Sequence, residues 1–64
     1  MLLIKFMDPT SERLEIQLYQ GSNNQVFLSY WIGNHLVGEV HMSPEALDIL
    51  IEKWKKAKDG SDSQ

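Results

Sequence analysis

The sequence contains no cysteine, which excludes disulfide bonds and zinc sites built from thiolates. A domain of 64 residues has a small core, because it buries only about 60% of the surface that its unfolded chain exposes. Small domains without disulfides or a structural metal gain stability by association. The absence of cysteine therefore favours oligomerisation. It is also compatible with the cytoplasm, where we expect this protein to reside.

Long apolar runs and an excess of basic residues are also absent. The N-terminal run 1–7 is interrupted by Lys5 and followed by Asp8 and Pro9, so it predicts neither a signal peptide nor a membrane span. The formal net charge is −3, whereas nucleic-acid-binding domains normally carry a net positive charge. The composition argues against a membrane and against nucleic acid as partners.

No set of residues is arranged for catalysis or for metal binding. A nucleophile needs an adjacent base, but the serines fit turns, a helix cap and the C-terminal segment, and the glycines are too scattered for a phosphate-binding loop. His35 and His41 lie on one side of a predicted strand, about 20 Å apart, which is too far for one metal ion. The sequence predicts no catalytic residue, no metal, no cofactor and no enzyme.

Four segments have the patterns of β-strands. They are the apolar run 2–6, the strictly alternating segment 13–19, and the segments 25–32 and 35–41. Gly33 and Asn34 separate the last two and predict a two-residue type II′ hairpin. If Ile32 pairs with His35, a regular register places Tyr30 opposite Val37 and Ser29 opposite Gly38.

This register predicts the composition of both faces of the hairpin. We assign one face to a core beneath the helix because Ser29 and Gly38 let a helix approach closely; it carries Phe27, Ser29, Trp31, Leu36, Gly38 and Val40. The opposite face is too apolar for solvent and predicts a homodimer interface formed by Val26, Leu28, Tyr30, Ile32 and Val37. An inverted face assignment, or a first strand folded across this face, would also account for its composition.

The last segment has the features of an amphipathic helix. Ser43 is a suitable N-cap and Pro44 suits the first helical position. One apolar stripe follows helical spacing, through Leu47, Leu50, Ile51, Trp54 and Ala57. Lysines gather towards the predicted end, where Gly60 would terminate the helix. The sequence thus predicts an α+β domain over 1–59, with β-β-β-β-α order and the helix packed on one sheet face, and a disordered tail over 60–64.

A resemblance to a known fold covers about half of the chain. A hairpin and a Ser-Pro-capped helix follow one another in VFLSYWIGNHLVGEVHMSPEALDILIEKW, residues 26–54. This segment resembles the single-strand-binding fold of the positive transcriptional coactivator family. The resemblance implies binding of single-stranded nucleic acid, and exposed Phe27, Tyr30 or Trp31 could stack on unpaired bases. The chain departs from that family where basic strand residues would be, because residues 26–42 hold no lysine or arginine.

The small size of the chain and its lack of catalytic and metal-binding residues therefore predict a homodimeric protein-interaction module of cytoplasmic or phage type. It would act as an inhibitor, adaptor or regulatory subunit by binding another protein. The residues expected to contact that partner are aromatic or acidic, namely Trp31, Glu39, Asp48 and Glu52, with Tyr30 as a further candidate. The alternatives are a single-stranded nucleic-acid-binding protein that uses the exposed sheet, and an autonomous fragment of a larger assembly.

Overall fold

The computed structural model describes residues 1–62. In these residues, four antiparallel strands precede one helix, as β1 (Leu2–Met7), β2 (Leu14–Gln20), β3 (Val26–Ile32), β4 (His35–Met42) and α1 (Pro44–Asp62). The strands lie in the sheet in chain order, so β1 and β4 form its two edges. The predicted α+β class and the β-β-β-β-α order are confirmed.

The connections between the strands use the residues that each turn requires. Between β1 and β2, the Asp8 carboxylate accepts hydrogen bonds from the backbone N–H and the hydroxyl of Thr10, both at 2.7 Å, and these bonds hold the pKa of Asp8 below its ordinary value. Asn23 and Asn24 adopt φ of 60° and 57° between β2 and β3. Gly33 adopts φ of 63° before Asn34, as the first central position of a type II′ turn requires.

The register of the β3–β4 hairpin departs from the prediction after two residue pairs. Ile32 pairs with His35 and Trp31 with Leu36, as expected, but Tyr30 pairs with Gly38. Val37 is thus an extra residue in β4, and a β-bulge of this kind shifts every later pair by one position. The predicted pair of Ser29 and Gly38 is wrong, because Glu39 lies opposite Ser29.

The helix begins where the sequence predicts. The Ser43 hydroxyl accepts a hydrogen bond from the Ala46 N–H at 3.1 Å, and the Ser43 carbonyl accepts one from the Leu47 N–H at 3.1 Å. The predicted termination at Gly60 is wrong, because α1 is described through to Asp62 and its last turn carries no basic residue. The rest of the predicted tail, residues 63–64, lies outside the described residues.

The helix does not pack on the sheet of its own chain, which corrects the predicted core. Contacts between α1 and the strands are sparse, and Trp54, expected in the core, is 60% exposed. The Cα radius of gyration is 13.7 Å, whereas a compact chain of this length has about 11 Å. Among the described residues, only Val26 and Ser29 are buried. The chain by itself therefore has almost no closed hydrophobic core.

Candidate interaction surfaces

The strand pairings gather apolar side chains on one side of the whole sheet. From β3, Val26, Leu28, Tyr30 and Ile32 alternate onto this side, and each pairs with a residue of β2 that shares it. We call this side the apolar face; its apolar members are Ile4, Phe6, Leu14, Ile16, Leu18, Val26, Leu28, Tyr30, Ile32, Val40 and Met42, and Gln20, His35 and Gly38 share it. Phe6 is 50% exposed and Val40 is 49% exposed, so much of this face is open to solvent.

Four of the five residues predicted for a dimer interface lie together on the apolar face. The fifth, Val37, occupies the bulge of β4 and pairs with no residue of β3. Val40 belongs to the apolar face, although the regular register placed it on the opposite side. The contributions of β1 and β2 were not predicted, although the alternation of Leu14, Ile16 and Leu18 was evident in the sequence. That alternation becomes informative once the order of the strands is known.

The opposite side of the sheet combines polar, charged and aromatic residues. We call it the mixed face, and it includes Lys5, Glu15, Gln17, Phe27, Ser29, Trp31, Glu39 and His41. The Trp31 indole N–H donates a hydrogen bond of 3.1 Å to the Ser29 hydroxyl. This contact helps to explain why Ser29 is buried on a face that the helix leaves open.

A second set of contacts orders the β4 side of the mixed face. His41 Nε2 lies 2.7 Å from Glu39 Oε1, and the His41 ring stacks on Phe27 with ring centroids 4.1 Å apart. The bulge separates these residues from His35, which remains opposite Ile32. In residues 1–62, no three histidine, aspartate or glutamate side chains are placed to hold a metal ion.

The four residues predicted to bind a partner fall into two separate pairs. Trp31 and Glu39 flank Ser29 on the mixed face, where Trp31 is half-buried and Glu39 is exposed. Asp48 and Glu52 lie on α1, and Glu52 forms an exposed ion pair of 3.4 Å with Lys56. Because α1 contacts the strands so little, the fold of the chain does not bring the two pairs into a single site.

An open depression lies at one end of the sheet. It has a volume of about 350 Å³ and is lined by Met7, Glu12, Arg13, Glu15, Gly33 and Asn34. Glu12 is exposed at its rim, whereas the Glu15 carboxylate is partly buried and lies 4.0 Å from the Lys5 ammonium.

The chain exposes more surface than a compact monomer of the same mass. The accessible area is 5186 Å², whereas a compact monomer of 7.4 kDa exposes about 4200 Å². The excess is about 1000 Å², and standard protein interfaces bury about 800 Å² on each partner. The uncovered surface of one chain is therefore large enough to form a stable interface.

No protein-family model, curated protein sequence or solved structure matches this chain. Within residues 1–62, the helix lacks the length of apolar sequence that a membrane crossing needs.

Proposed function

We propose that this chain is a non-enzymatic protein-interaction module of the cytoplasm that works as a homodimer. The observation that carries the proposal is the open apolar face, which spans all four strands. Apolar area removed from water contributes about 25 cal/mol per Å², so each 200 Å² of apolar surface that is covered would stabilise the assembly by about 5 kcal/mol. Part of that gain offsets the entropy lost on association.

A second copy is the occupant that best fits this face. Most soluble homo-oligomers are twofold dimers, in which each copy presents the same patch to the other. Association would also supply the core that a 64-residue chain without disulfides lacks. A transient partner would leave the free chain with an exposed apolar face for part of its lifetime, which favours aggregation.

In such a dimer the mixed faces remain available for a different protein. Each carries an aromatic side chain, Trp31, of a type that is enriched at the centre of protein interfaces, and the exposed Glu39 beside Ser29 suits the polar rim. Two copies would present two such surfaces. A module of this kind acts as an inhibitor, adaptor or regulatory subunit, whether its partner is a host or a phage protein.

Sedimentation equilibrium tests the dimer. Wild type should have the mass of two chains, and Val40→Lys should lower the association constant because it places a charge on the apolar face. Val40 is half-exposed in the subunit, so this substitution leaves the fold intact. The matched control is Gln25→Lys, which adds the same charge at an exposed position just before β3. A monomeric wild type refutes the proposal, and equal association of both variants removes the apolar face from the interface.

Affinity capture from the source organism tests the mixed face. We compare wild type with the charge reversal Glu39→Lys and use Glu12→Lys, an exposed turn residue, as the control. A protein retained by wild type and by the control but lost with Glu39→Lys supports the mixed face as the partner site. If every retained protein binds all three baits equally, this assignment is wrong.

A further inference from the structure

The chain carries a second apolar surface that its own fold leaves uncovered. We call it the helix stripe; it consists of Leu47, Leu50, Ile51 and Trp54, spaced along one side of α1. Leu50 is 53% exposed and Trp54 is 60% exposed, so the stripe lacks the sheet against which such a helix normally packs. One subunit thus exposes both an apolar sheet face and an apolar helix face.

The junction between β4 and α1 explains why the helix does not fold back. Only Ser43 separates Met42, the last residue of β4, from Pro44, the first residue of α1. The Pro44 ring fixes φ at that residue and restricts Ser43 to extended conformations. Ser43 is held further by its two capping hydrogen bonds. Connections between elements in compact domains usually have several residues, so this junction is too short and stiff for a reversal of direction.

The dimensions of the two apolar surfaces allow the helix stripe to lie on the sheet. The stripe runs from Leu47 to Trp54 and is about 10 Å long, and a strand of seven residues is about 23 Å long. Four strands span about 14 Å between the outer two, and a helix with its side chains is about 10 Å wide. The stripe of one helix therefore fits within one sheet face and covers part of it.

We propose that in the homodimer the helix of each copy lies on the apolar face of the other. This inference rests on the proposed homodimer and adds how its two chains are arranged. A twofold axis makes the exchange reciprocal, so each helix stripe is covered and each apolar face is covered in part. The short junction then has a function, because it directs the helix away from its own sheet. The polar side of α1, which carries the Glu52–Lys56 ion pair, stays in water.

Cross-linking tests this arrangement in a chain that has no cysteine of its own. Tyr30→Cys places a thiol on the apolar face, and Leu50→Cys places one on the helix stripe. Both residues are partly exposed in the subunit, which limits the effect on folding. The two variants are mixed, allowed to exchange subunits, treated with a short bis-maleimide and separated on a denaturing gel. One variant is isotopically labelled, so that mass spectrometry identifies which chains are joined.

The expected result is a band of doubled mass that joins one labelled and one unlabelled chain. The control replaces Leu50→Cys with Asp48→Cys, which lies on the other side of α1, and should give much less of this product. A cross-link between two Tyr30→Cys chains would mean that the sheets face each other directly and would overturn the inference.

Three other outcomes also contradict the exchange. If a chain that carries both Tyr30→Cys and Leu50→Cys cross-links within itself and keeps the mass of a monomer, the helix covers its own sheet. If the mixture gives no cross-link although wild type is a dimer, the helix lies elsewhere. The proposed dimer survives this last outcome, whereas a monomeric wild type in sedimentation equilibrium removes both proposals.

Discussion

Replacement of Trp54 by alanine is expected to have different effects on a monomer and on the proposed dimer. In one chain, Trp54 contacts little besides its own helix, where the Lys58 ammonium lies 5.7 Å from its ring centroid. A cation–π contact at an exposed site contributes about 0.5–1 kcal/mol, and alanine recovers part of this through its higher helix propensity. If the protein were a monomer, Trp54→Ala would therefore change its free energy of unfolding by less than about 1 kcal/mol.

The dimer predicts a much larger effect. A tryptophan side chain buries up to about 250 Å², so the 60% that is exposed corresponds to about 150 Å² that a second copy could cover. Full coverage would contribute about 4 kcal/mol per chain, and half coverage about 2 kcal/mol. Because both chains lose this contact, half coverage already raises the dissociation constant of the dimer about a thousandfold.

The assay is sedimentation equilibrium of wild type and Trp54→Ala over a dilution series, with urea denaturation at two protein concentrations. For a dimer, the denaturation midpoint of wild type rises with concentration. The control is Lys55→Ala, which changes an exposed residue on the polar side of the same helix and should leave the dissociation constant unchanged. An unaltered dissociation constant for Trp54→Ala would show that the helix stripe is not covered in the dimer, and it would refute the proposed packing of the helix on the other chain.

Three further predictions concern local structure and the nucleic-acid alternative. Ser43→Ala should lower the free energy of unfolding by about 1 kcal/mol because the helix cap is lost, whereas Ser43→Asp keeps a capping oxygen and should retain the stability of wild type. Equal urea midpoints for wild type and both variants would contradict the role of Ser43 as the cap. Gly33→Ala should lower the free energy of unfolding by about 1–2 kcal/mol because φ is 63° at this position. Gly60→Ala, within the helix, should raise the free energy of unfolding by up to about 1 kcal/mol. A thermal unfolding midpoint that is higher for Gly33→Ala than for Gly60→Ala would refute the turn assignment. Fluorescence anisotropy with single-stranded oligonucleotides should show only weak, non-specific binding, with a dissociation constant of about 10⁻⁴ to 10⁻⁶ M at physiological salt. Submicromolar binding that Trp31→Ala abolishes would instead favour base stacking on the sheet.

The local order of the chain follows from the sequence because its signals act over a few residues. The alternation in β2, the Gly33-Asn34 turn and the Ser43-Pro44 helix start each depend on neighbours in the chain, and each is present in the structure. The apolar character of the β3 side with Leu28 and Tyr30 was likewise evident. These features predicted the fold class and most residues of the face that we propose as an interface.

The position of the bulge at Val37 depends on how β3 pairs with β4, and it became known only from the structure. One extra residue exchanges the two faces of every later position in the strand, because side chains alternate with a period of two. Val40 therefore joins the apolar face, and Glu39 joins Ser29 on the mixed face. Gly38, next to the bulge, is the residue of β4 that hints at this shift, because an isolated glycine in a strand often marks a bulge or a close approach, and a side chain there would meet Tyr30. The glycine does not indicate by itself which of these two explanations applies.

The packing of the helix was also decided only by the tertiary structure. The sequence determined that α1 is amphipathic and that its stripe must be covered, since apolar side chains are costly to leave in water. It did not determine which surface covers that stripe, because amphipathic spacing is the same whether the sheet belongs to the same chain or to another. The direction of the helix depends on the one-residue junction at Ser43, whose stiff backbone carries α1 away from its own strands.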